Sequence, residues 1–315
     1  MFNKVLFIDS VHPLIKEELT AHGFQCDYFP EYGRSEFLKI IGDYFGIIIR
    51  SKIMLDHEFL SLGGQLKFIG RVGAGMENID LDFAIDNGIQ CFNSPEGNRD
   101  AVAEHAVGML LSLFNNINRA DRQVRSGQWI REGNRGIELK GKTVGIIGYG
   151  NMGSAFAQRL KGFDVKVISY DKYKHNYTDG NTLKVSMEEI HEQSDIISLH
   201  VPFTEETKYL VDGSFLEKFE KKIVLVNTAR GAVVNTSDLV QKLKEGKVTA
   251  AALDVLEYED KSFENLATNL PKDFQYLLKA ENVILTPHIA GWTVESNIKL
   301  ARVLVEKIIA AFPVA

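Results

Sequence analysis

The chain has 315 residues, more than one hydrophobic core usually organises, so two domains are expected. Its net charge of −6 and pI near 5.8 argue against a nucleic-acid or anionic-membrane surface, and no apolar run approaches the roughly 20 residues of a membrane span. Cys26 and Cys91 lack the spacing of a metal site and read as buried thiols of a reducing cytoplasm, so neither a disulfide nor a metal is expected.

The first nine residues turn acidic too early for a signal peptide and read as a first strand over residues 5–8. A helix with proline near its start follows at 13–21, then a strand at 24–29 and a helix at 35–41 with Ser35 as a candidate N-cap. Residues 45–49 read as a strand, 56–61 as a short helix, 66–70 as a strand, 81–87 as a helix stopped at Gly88, and 89–92 as a last strand. Strands alternating with helices imply a parallel sheet covered on both faces, here a small flavodoxin-like sheet. Proline and glycine interrupt regular structure at 93–98, which marks a domain boundary. Residues 101–117 form a helix that is apolar nearly all round; such a helix is buried, and this one points to a subunit interface.

The densest signal follows. An apolar strand at 142–147 runs into Gly148-Tyr149-Gly150-Asn151-Met152-Gly153, a helix start at 154–160 and a second strand at 165–170 that ends at Asp171. Strand, glycine turn, helix, strand and acid make up the dinucleotide-binding unit. Gly148 permits the tight turn, Gly150 lets the backbone approach a pyrophosphate, and Gly153 lets the helix pack close to the strand. The helix start offers N–H groups and a positive dipole end to phosphates. A carboxylate at Asp171 accepts from a ribose 2′-OH and repels a 2′-phosphate, which selects NAD over NADP although Lys172 and Lys174 lie nearby.

Beyond this unit the alternation resumes, and each strand ends on polar residues. Residues 195–199 lead to His200-Val201-Pro202, and 223–227 lead to Thr228-Ala229-Arg230-Gly231. Residues 250–253 lead to Asp254 and Glu259, and 283–285 lead to Thr286-Pro287-His288. Open parallel sheets bind ligands at the carboxyl ends of their strands. An arginine, a carboxylate and a histidine delivered there suit hydride transfer to or from a 2-hydroxy acid. The histidine moves the hydroxyl proton, the carboxylate orients its ring and favours imidazolium, and the arginine clamps the substrate carboxylate. Each residue also has a plainer reading: Arg230 as a strand-end salt bridge, His288 as a turn cap, and Glu259 as part of a solvated acidic patch.

Over nearly its whole length the chain resembles the D-isomer-specific 2-hydroxyacid dehydrogenases. The matching segments are Arg71-Val72-Gly73-Ala74-Gly75-Met76-Glu77-Asn78-Ile79-Asp80, the glycine turn with Asp171, His200-Val201-Pro202, Asn227-Thr228-Ala229-Arg230-Gly231, Leu253-Asp254-Val255 with Glu259, and Thr286-Pro287-His288-Ile289-Ala290-Gly291. The resemblance implies an α/β protein of two doubly wound parallel-sheet domains. A Rossmann NAD-binding domain at 97–290 is inserted into a flavodoxin-like substrate domain at 1–96 and 291–315. Its closing helix, over 293–312, would present Val294, Ile298, Ala301, Val305 and Ile308 to the first domain.

The resemblance further implies that Arg230 binds substrate, Glu259 supports the histidine and His288 is the acid/base. Val72, Gly73, Ala74 and Gly75 would offer backbone N–H groups to the substrate carboxylate, and Asp254 would contact the nicotinamide amide. Asn151, Met152, Thr207, Thr228, Ala229 and Gly291 join the glycines, Asp171 and the His200-Val201-Pro202 segment around NAD. Within the family the chain looks most like the short D-3-phosphoglycerate dehydrogenases, which lack a regulatory domain. Arg50 with Ser51, Arg71, and Arg131 from a neighbouring subunit match positions that bind the substrate phosphate there. The implied partners are a small 2-hydroxy or 2-keto acid and a second copy of the chain, joined through 101–140; activity is expected to be unaffected by serine. A glyoxylate or hydroxypyruvate reductase shares every motif but the phosphate arginines, and an NAD-sensing corepressor shares the fold. Two departures stand out. Asp260 replaces a frequent proline, and Trp292 stands where smaller or tyrosyl residues are common, a change expected to alter specificity. Glu259, where formate dehydrogenases carry glutamine, argues against formate.

Overall fold

The computed structural model describes residues 3–177, 179–259 and 270–313. The first part of the chain alternates as expected: β1 (Lys4–Phe7), α1 (Pro13–Ala21), β2 (Gln25–Tyr28), α2 (Arg34–Ile40), β3 (Gly46–Ile49), α3 (His57–Ser61), β4 (Phe68–Arg71), α4 (Leu81–Asp86) and β5 (Gln90–Phe92). The strands are all parallel in the order β2-β1-β3-β4-β5, the flavodoxin order. Successive side chains enter opposite cores, because strand periodicity is two. Val5, Phe7, Ile48 and Phe68 join one core; Leu6, Ile47, Ile49 and Ile69 join the other. Asp56 and Asp80 start α3 and α4 by accepting the amides of Phe59 and Phe83, each at 3.0 Å. The cap of α2 differs from the expectation. Gly33, not Ser35, is the N-cap, because the Glu36 carboxylate reaches back to the Gly33 amide at 3.0 Å and takes the Ser35 hydroxyl for itself.

The segment at 93–98 is also more regular than its proline and glycine suggest. α5 (Pro95–Phe114) begins on the proline, whose missing N–H costs nothing at a helix start. It ends before Asn116, which takes a left-handed φ of 54°, and a second helix, α6 (Ile117–Arg125), follows. Next come β6 (Thr143–Ile147), α7 (Asn151–Arg159), β7 (Lys166–Tyr170), β8 (Leu183–Lys184), α8 (Met187–Gln193), β9 (Ile196–Leu199), α9 (Gly213–Glu217), β10 (Ile223–Asn227), α10 (Thr236–Glu245), β11 (Val248–Leu253), α11 (Lys272–Leu277) and β12 (Val283–Leu285). These seven strands are parallel in the order β12-β11-β10-β9-β6-β7-β8. Ala106, Leu110 and Phe156 from α5 and α7 pack on Val144, Ile146 and Val226; Ile190, Leu216, Leu239 and Phe274 pack on the opposite face. The chain builds outward from β6 to β7 and β8 and then crosses back through α8 to β9 on the other side of β6, so the carboxyl ends of β6 and β9 flank a topological switch point.

The chain closes with α12 (Val294–Ala311). One compact unit runs to Asn98 and resumes at Trp292; the other begins at Arg99 and ends at Gly291. Within the first unit, Ala301, Leu304, Val305 and Ile308 of α12 are buried in the core of Val5, Phe7 and Phe68. Each of the larger three contributes about 1.5–3 kcal/mol by burial. Val294, expected in that stripe, is exposed: it belongs to the capping turn, where Ser296 takes the buried position and bonds Thr293. Lys307 ties α12 to the start of α5 through Glu96 and the Asn93 carbonyl, at 2.9–3.0 Å. Among the described residues no helix is long and apolar enough to cross a membrane.

A Cβ at Gly97 would stand 2.5 Å from the Leu300 backbone nitrogen, so α5 and α12 cross there only because position 97 is bare. Gly97→Ala is expected to destabilise by about 1–3 kcal/mol in denaturant melts despite its gain in helix propensity. Gly64→Ala, whose added methyl meets nothing within 4 Å, should stay within about 0.5 kcal/mol of the parent.

Candidate active site

The glycine turn after β6 is built by close approach. Gly148 has φ 92°, and a Cβ there would lie 2.5 Å from the His200 carbonyl oxygen. A Cβ at Gly153 would run into the Gly148 carbonyl, so the first turn of α7 sits directly on the glycine loop. Gly150 is the N-cap of α7, and the space before it holds no atom within 4 Å of a built Cβ. No acidic side chain occupies the first turn of α7, which includes Asn151 and Met152, so its N–H groups and dipole end are kept for an anion. Two polar atoms at neighbouring strand ends, His200 Nδ1 and Thr228 Oγ1, are buried without a partner among the described residues. An open helix start beside orphaned polar atoms fits a bound dinucleotide.

Asp171 ends β7. Its carboxylate accepts the amides of Tyr149 (2.7 Å), Tyr173 (3.0 Å) and Lys174 (2.8 Å). Burial alone would raise its carboxyl, but these amides and the Lys174 ammonium outweigh burial and hold it below the usual range. It is therefore an oriented anion at the place where a ribose is expected. Tyr149, which the spacing treats as a variable position, proves structural. Its ring is buried and stacks on Tyr177 at 4.4 Å, its hydroxyl donates to Asp179, and its carbonyl accepts from Lys174 at 3.2 Å. The glycine turn and the Asp171 loop are thus one braced piece. Lys172 and Tyr173 both bond Glu206, which links that loop to the one after β9.

In the loop after β9, burial pushes His200 down to about 3, so its ring is neutral; Nε2 meets Ser198 Oγ at 2.8 Å. Val201 is half-buried and packs on the core beneath β9. Thr207 shapes this loop, donating to the Pro202 carbonyl at 2.7 Å and accepting from the Thr204 amide at 2.8 Å.

The loops after β10, β11 and β12 form the second half of the site. Asn227, at 1 % exposure, holds Arg230 in place: Nδ2 donates to the Arg230 carbonyl at 2.9 Å and Oδ1 accepts the Ala229 amide at 3.0 Å. A Cβ at Gly231 would run into the Leu256 backbone, so the Arg230 loop lies against the one that carries Glu259. Glu259 and His288 are joined, with Oε2 to Nδ1 at 2.6 Å, and the other Glu259 oxygen accepts the Leu256 amide. His288 has φ 54°, a left-handed conformation unusual for a histidine. Asp254 is buried, and its carboxylate bonds Thr286 Oγ1 (2.5 Å) and the amides of Ile289 and Ala290 (2.9 Å each). This carboxylate, expected from the resemblance to contact the nicotinamide amide, also fixes the His288 turn that leads to Gly291.

The other unit carries the remaining candidates. Ile49 pairs with Arg71, so Arg50 and Arg71 leave adjacent strand ends. Asp9, which sequence reasoning passed over, accepts the amides of Arg50, Ser51 and Lys52 and shapes that loop. The Arg50 guanidinium lies over the Trp292 ring at 4.8 Å. Arg71 folds across Gly73, whose φ of 149° and lack of a Cβ make room for it. Ser94 Oγ accepts the Gly73 amide and Asn93 donates to the Ala74 carbonyl at 2.6 Å, which pins the loop from Val72 to Gly75. Arg131 is in the second unit, exposed just before a single 3-10 turn. Asp260 lies outside the described residues.

The family model for the NAD-binding domain of D-isomer specific 2-hydroxyacid dehydrogenases matches residues 107–290. The chain is 35 % identical to D-3-phosphoglycerate dehydrogenase of Archaeoglobus fulgidus over 97 % of its own length and 56 % of that protein's. It is 36 % identical to hydroxypyruvate reductase of Thermotoga maritima over 87 % of each. Its fold matches the D-lactate dehydrogenase of Aquifex aeolicus complexed with NAD and lactic acid (TM-score 0.83, 29 % identity), covering 98 % of this chain and 95 % of that one. The chain spans about half the length of the curated phosphoglycerate dehydrogenases it matches. The region matched at 107–290 is thus an NAD-binding domain by its family model.

Asp171→Ala is expected to lower kcat/KM for NAD by at least about tenfold and to leave NADP unchanged or improved, because a carboxylate at this position would accept from a ribose 2′-OH and repel a 2′-phosphate. Steady-state kinetics with both cofactors checks this; an unaltered NAD to NADP ratio would contradict the assignment.

Proposed function

Because this chain belongs to the D-isomer specific 2-hydroxyacid dehydrogenase family, we propose that it interconverts a D-2-hydroxy acid and its 2-keto acid with NAD, and that 3-phosphoglycerate and 3-phosphohydroxypyruvate are its pair. The observation that carries the chemistry is the Glu259–His288 contact at 2.6 Å beside the braced Arg230 loop. Bound NAD supplies the hydride acceptor. Gly148, Gly150 and the start of α7 would hold its phosphates and Asp171 its ribose. Glu259 on Nδ1 makes Nε2 the nitrogen that exchanges a proton with substrate. During oxidation Nε2 takes the hydroxyl proton, and the adjacent carboxylate stabilises the imidazolium; during reduction the proton returns to the carbonyl oxygen. Arg230 binds the substrate carboxylate.

Support for a phosphorylated substrate comes from Arg50 and Arg71 at adjacent strand ends, with Arg131 proposed to come from a second copy. Exposed Ile117, Val124, Trp129, Ile130 and Ile137 within or beside the 101–140 segment support a homodimer through that region. Reduction of hydroxypyruvate or glyoxylate is the second reading. It is favoured by the Arg50 guanidinium lying over the Trp292 ring, and by the match to a hydroxypyruvate reductase over 87 % of each chain.

A panel of 3-phosphohydroxypyruvate, hydroxypyruvate and glyoxylate with NADH separates the two. The first reading expects kcat/KM for the phosphorylated acid to exceed the others by about a hundredfold, since each lost charge-assisted contact weakens binding by about tenfold. Equal or reversed preference establishes the second. His288→Asn should reduce turnover by about 10²–10⁴ with any of these acids while NAD binding, followed by calorimetry, stays within about threefold.

A further inference from the structure

The left-handed φ of His288 needs support from its surroundings, and that support has a source in α5. Three consecutive amides close on one residue. The His288 amide donates to the Asp254 carbonyl at 2.8 Å, the Ile289 amide to Oδ1 at 2.9 Å and the Ala290 amide to Oδ2 at 2.9 Å. The orientation of the Asp254 carboxylate therefore sets the turn. That orientation is held in turn by Thr286, whose hydroxyl lies 2.5 Å from Oδ1. A threonine hydroxyl has one hydrogen, and the carboxylate is a nearer and stronger acceptor than Met109 Sδ at 3.9 Å. With its hydrogen spent on Asp254, Thr286 Oγ1 accepts from its other neighbour, His105 Nε2, at 3.1 Å. His105 Nε2 also stands 3.5 Å from Asp254 Oδ1. Its helix is locked against the sheet by Ala103, Ala106 and Leu110, each fully buried.

We propose that His105 is a positioning residue: the hydrogen bond it donates to Thr286 orients Asp254, and through Asp254 it holds His288 in the left-handed turn that faces Glu259. Without that donor the Thr286 hydroxyl is released to rotate, and Asp254 can follow it. The Ile289 and Ala290 amides then lose a fixed acceptor, and the His288 ring moves off Glu259. A shift of about 1 Å in a catalytic group costs up to about a hundredfold in rate. This inference rests on the reading of His288 as the acid/base.

The test uses the whole chain. His105→Leu keeps the bulk and removes the donor, while His105→Gln places an amide N–H near the position of the ring Nε2. His105→Leu is expected to lower kcat for keto-acid reduction by about ten- to a hundredfold and leave NAD binding within about threefold. His105→Gln should recover kcat to within about threefold of the parent. Thr286→Val breaks the same chain without touching α5 and must show the same loss of kcat, whether or not His105→Leu folds. In a His288→Asn background, His105→Leu should change the residual turnover by less than about twofold, because its route of action is gone. Full turnover in either His105→Leu or Thr286→Val overturns the proposal. So does a loss that glutamine fails to rescue, or an equal further loss in the His288→Asn background. If His288→Asn alone keeps full turnover, the acid/base reading falls and takes this proposal with it. A loss in His288→Asn with full turnover in His105→Leu removes only the role of His105.

Discussion

A buried carboxylate must have hydrogen-bond donors around it. Asp254 meets that demand with the Thr286 hydroxyl and the amides of Ile289 and Ala290, and much of the second unit's site is arranged by the way it does so. Two adjacent amides can point at one carboxylate only if the chain turns sharply, and the turn puts His288 at φ 54°. On its other side, the Asp254 amide donates to the Asn227 carbonyl at 3.0 Å, while the Asn227 side chain grips the Arg230 loop. One buried anion and one buried amide side chain therefore place an arginine and a histidine that are 58 residues apart in sequence (288 − 230). The left-handed backbone costs about 1–2 kcal/mol, which two or three hydrogen bonds to a charged group offset at about 1.5–3 kcal/mol each.

The cofactor half follows the same logic with different residues. Asp171 takes three backbone amides, one of them from inside the glycine turn, so the acid expected to read the ribose and the loop expected to hold the phosphates move together. Tyr149 reinforces this coupling through its ring, hydroxyl and carbonyl. Glycine contributes by absence of bulk. Gly148, Gly153 and Gly231 each stand where a methyl group would collide with backbone, and backbone cannot move aside as a side chain can. The glycine turn and the Arg230 loop are thus each held in close contact with neighbouring backbone.

Much of the fold was legible in the sequence. Strand periodicity and the glycine turn are local features, read over five to ten residues, and the elements they announced appear with small shifts at their ends. The misreadings share a cause. Ser35 looked like a cap, but its hydroxyl donates to Glu36, whose carboxylate also takes the Gly33 amide. Pro95 and Gly97 looked like a break, but proline is tolerated in a first helical turn and Gly97 is where α12 passes. Val294 fitted an apolar stripe but lies in a capping turn. In each case a neighbour, remote or local, decided between two readings that local pattern left equal. His105 was hidden in the same way: one polar side chain in an apolar helix reads as incidental until Thr286, 181 residues later, is seen beside it.

By itself the sequence determined the doubly wound class, the dinucleotide unit and the family, because these depend on the order and spacing of residues along the chain. Motif order also singled out Arg230, Glu259 and His288. Only the tertiary structure decided how those side chains are held: Glu259 against Nδ1, Asp254 turned toward the His288 loop, Arg50 over Trp292, and Tyr149 bracing Asp171. The physical reason is that a buried polar atom must find its partner wherever the fold brings one within about 3 Å, and sequence separation does not enter that requirement.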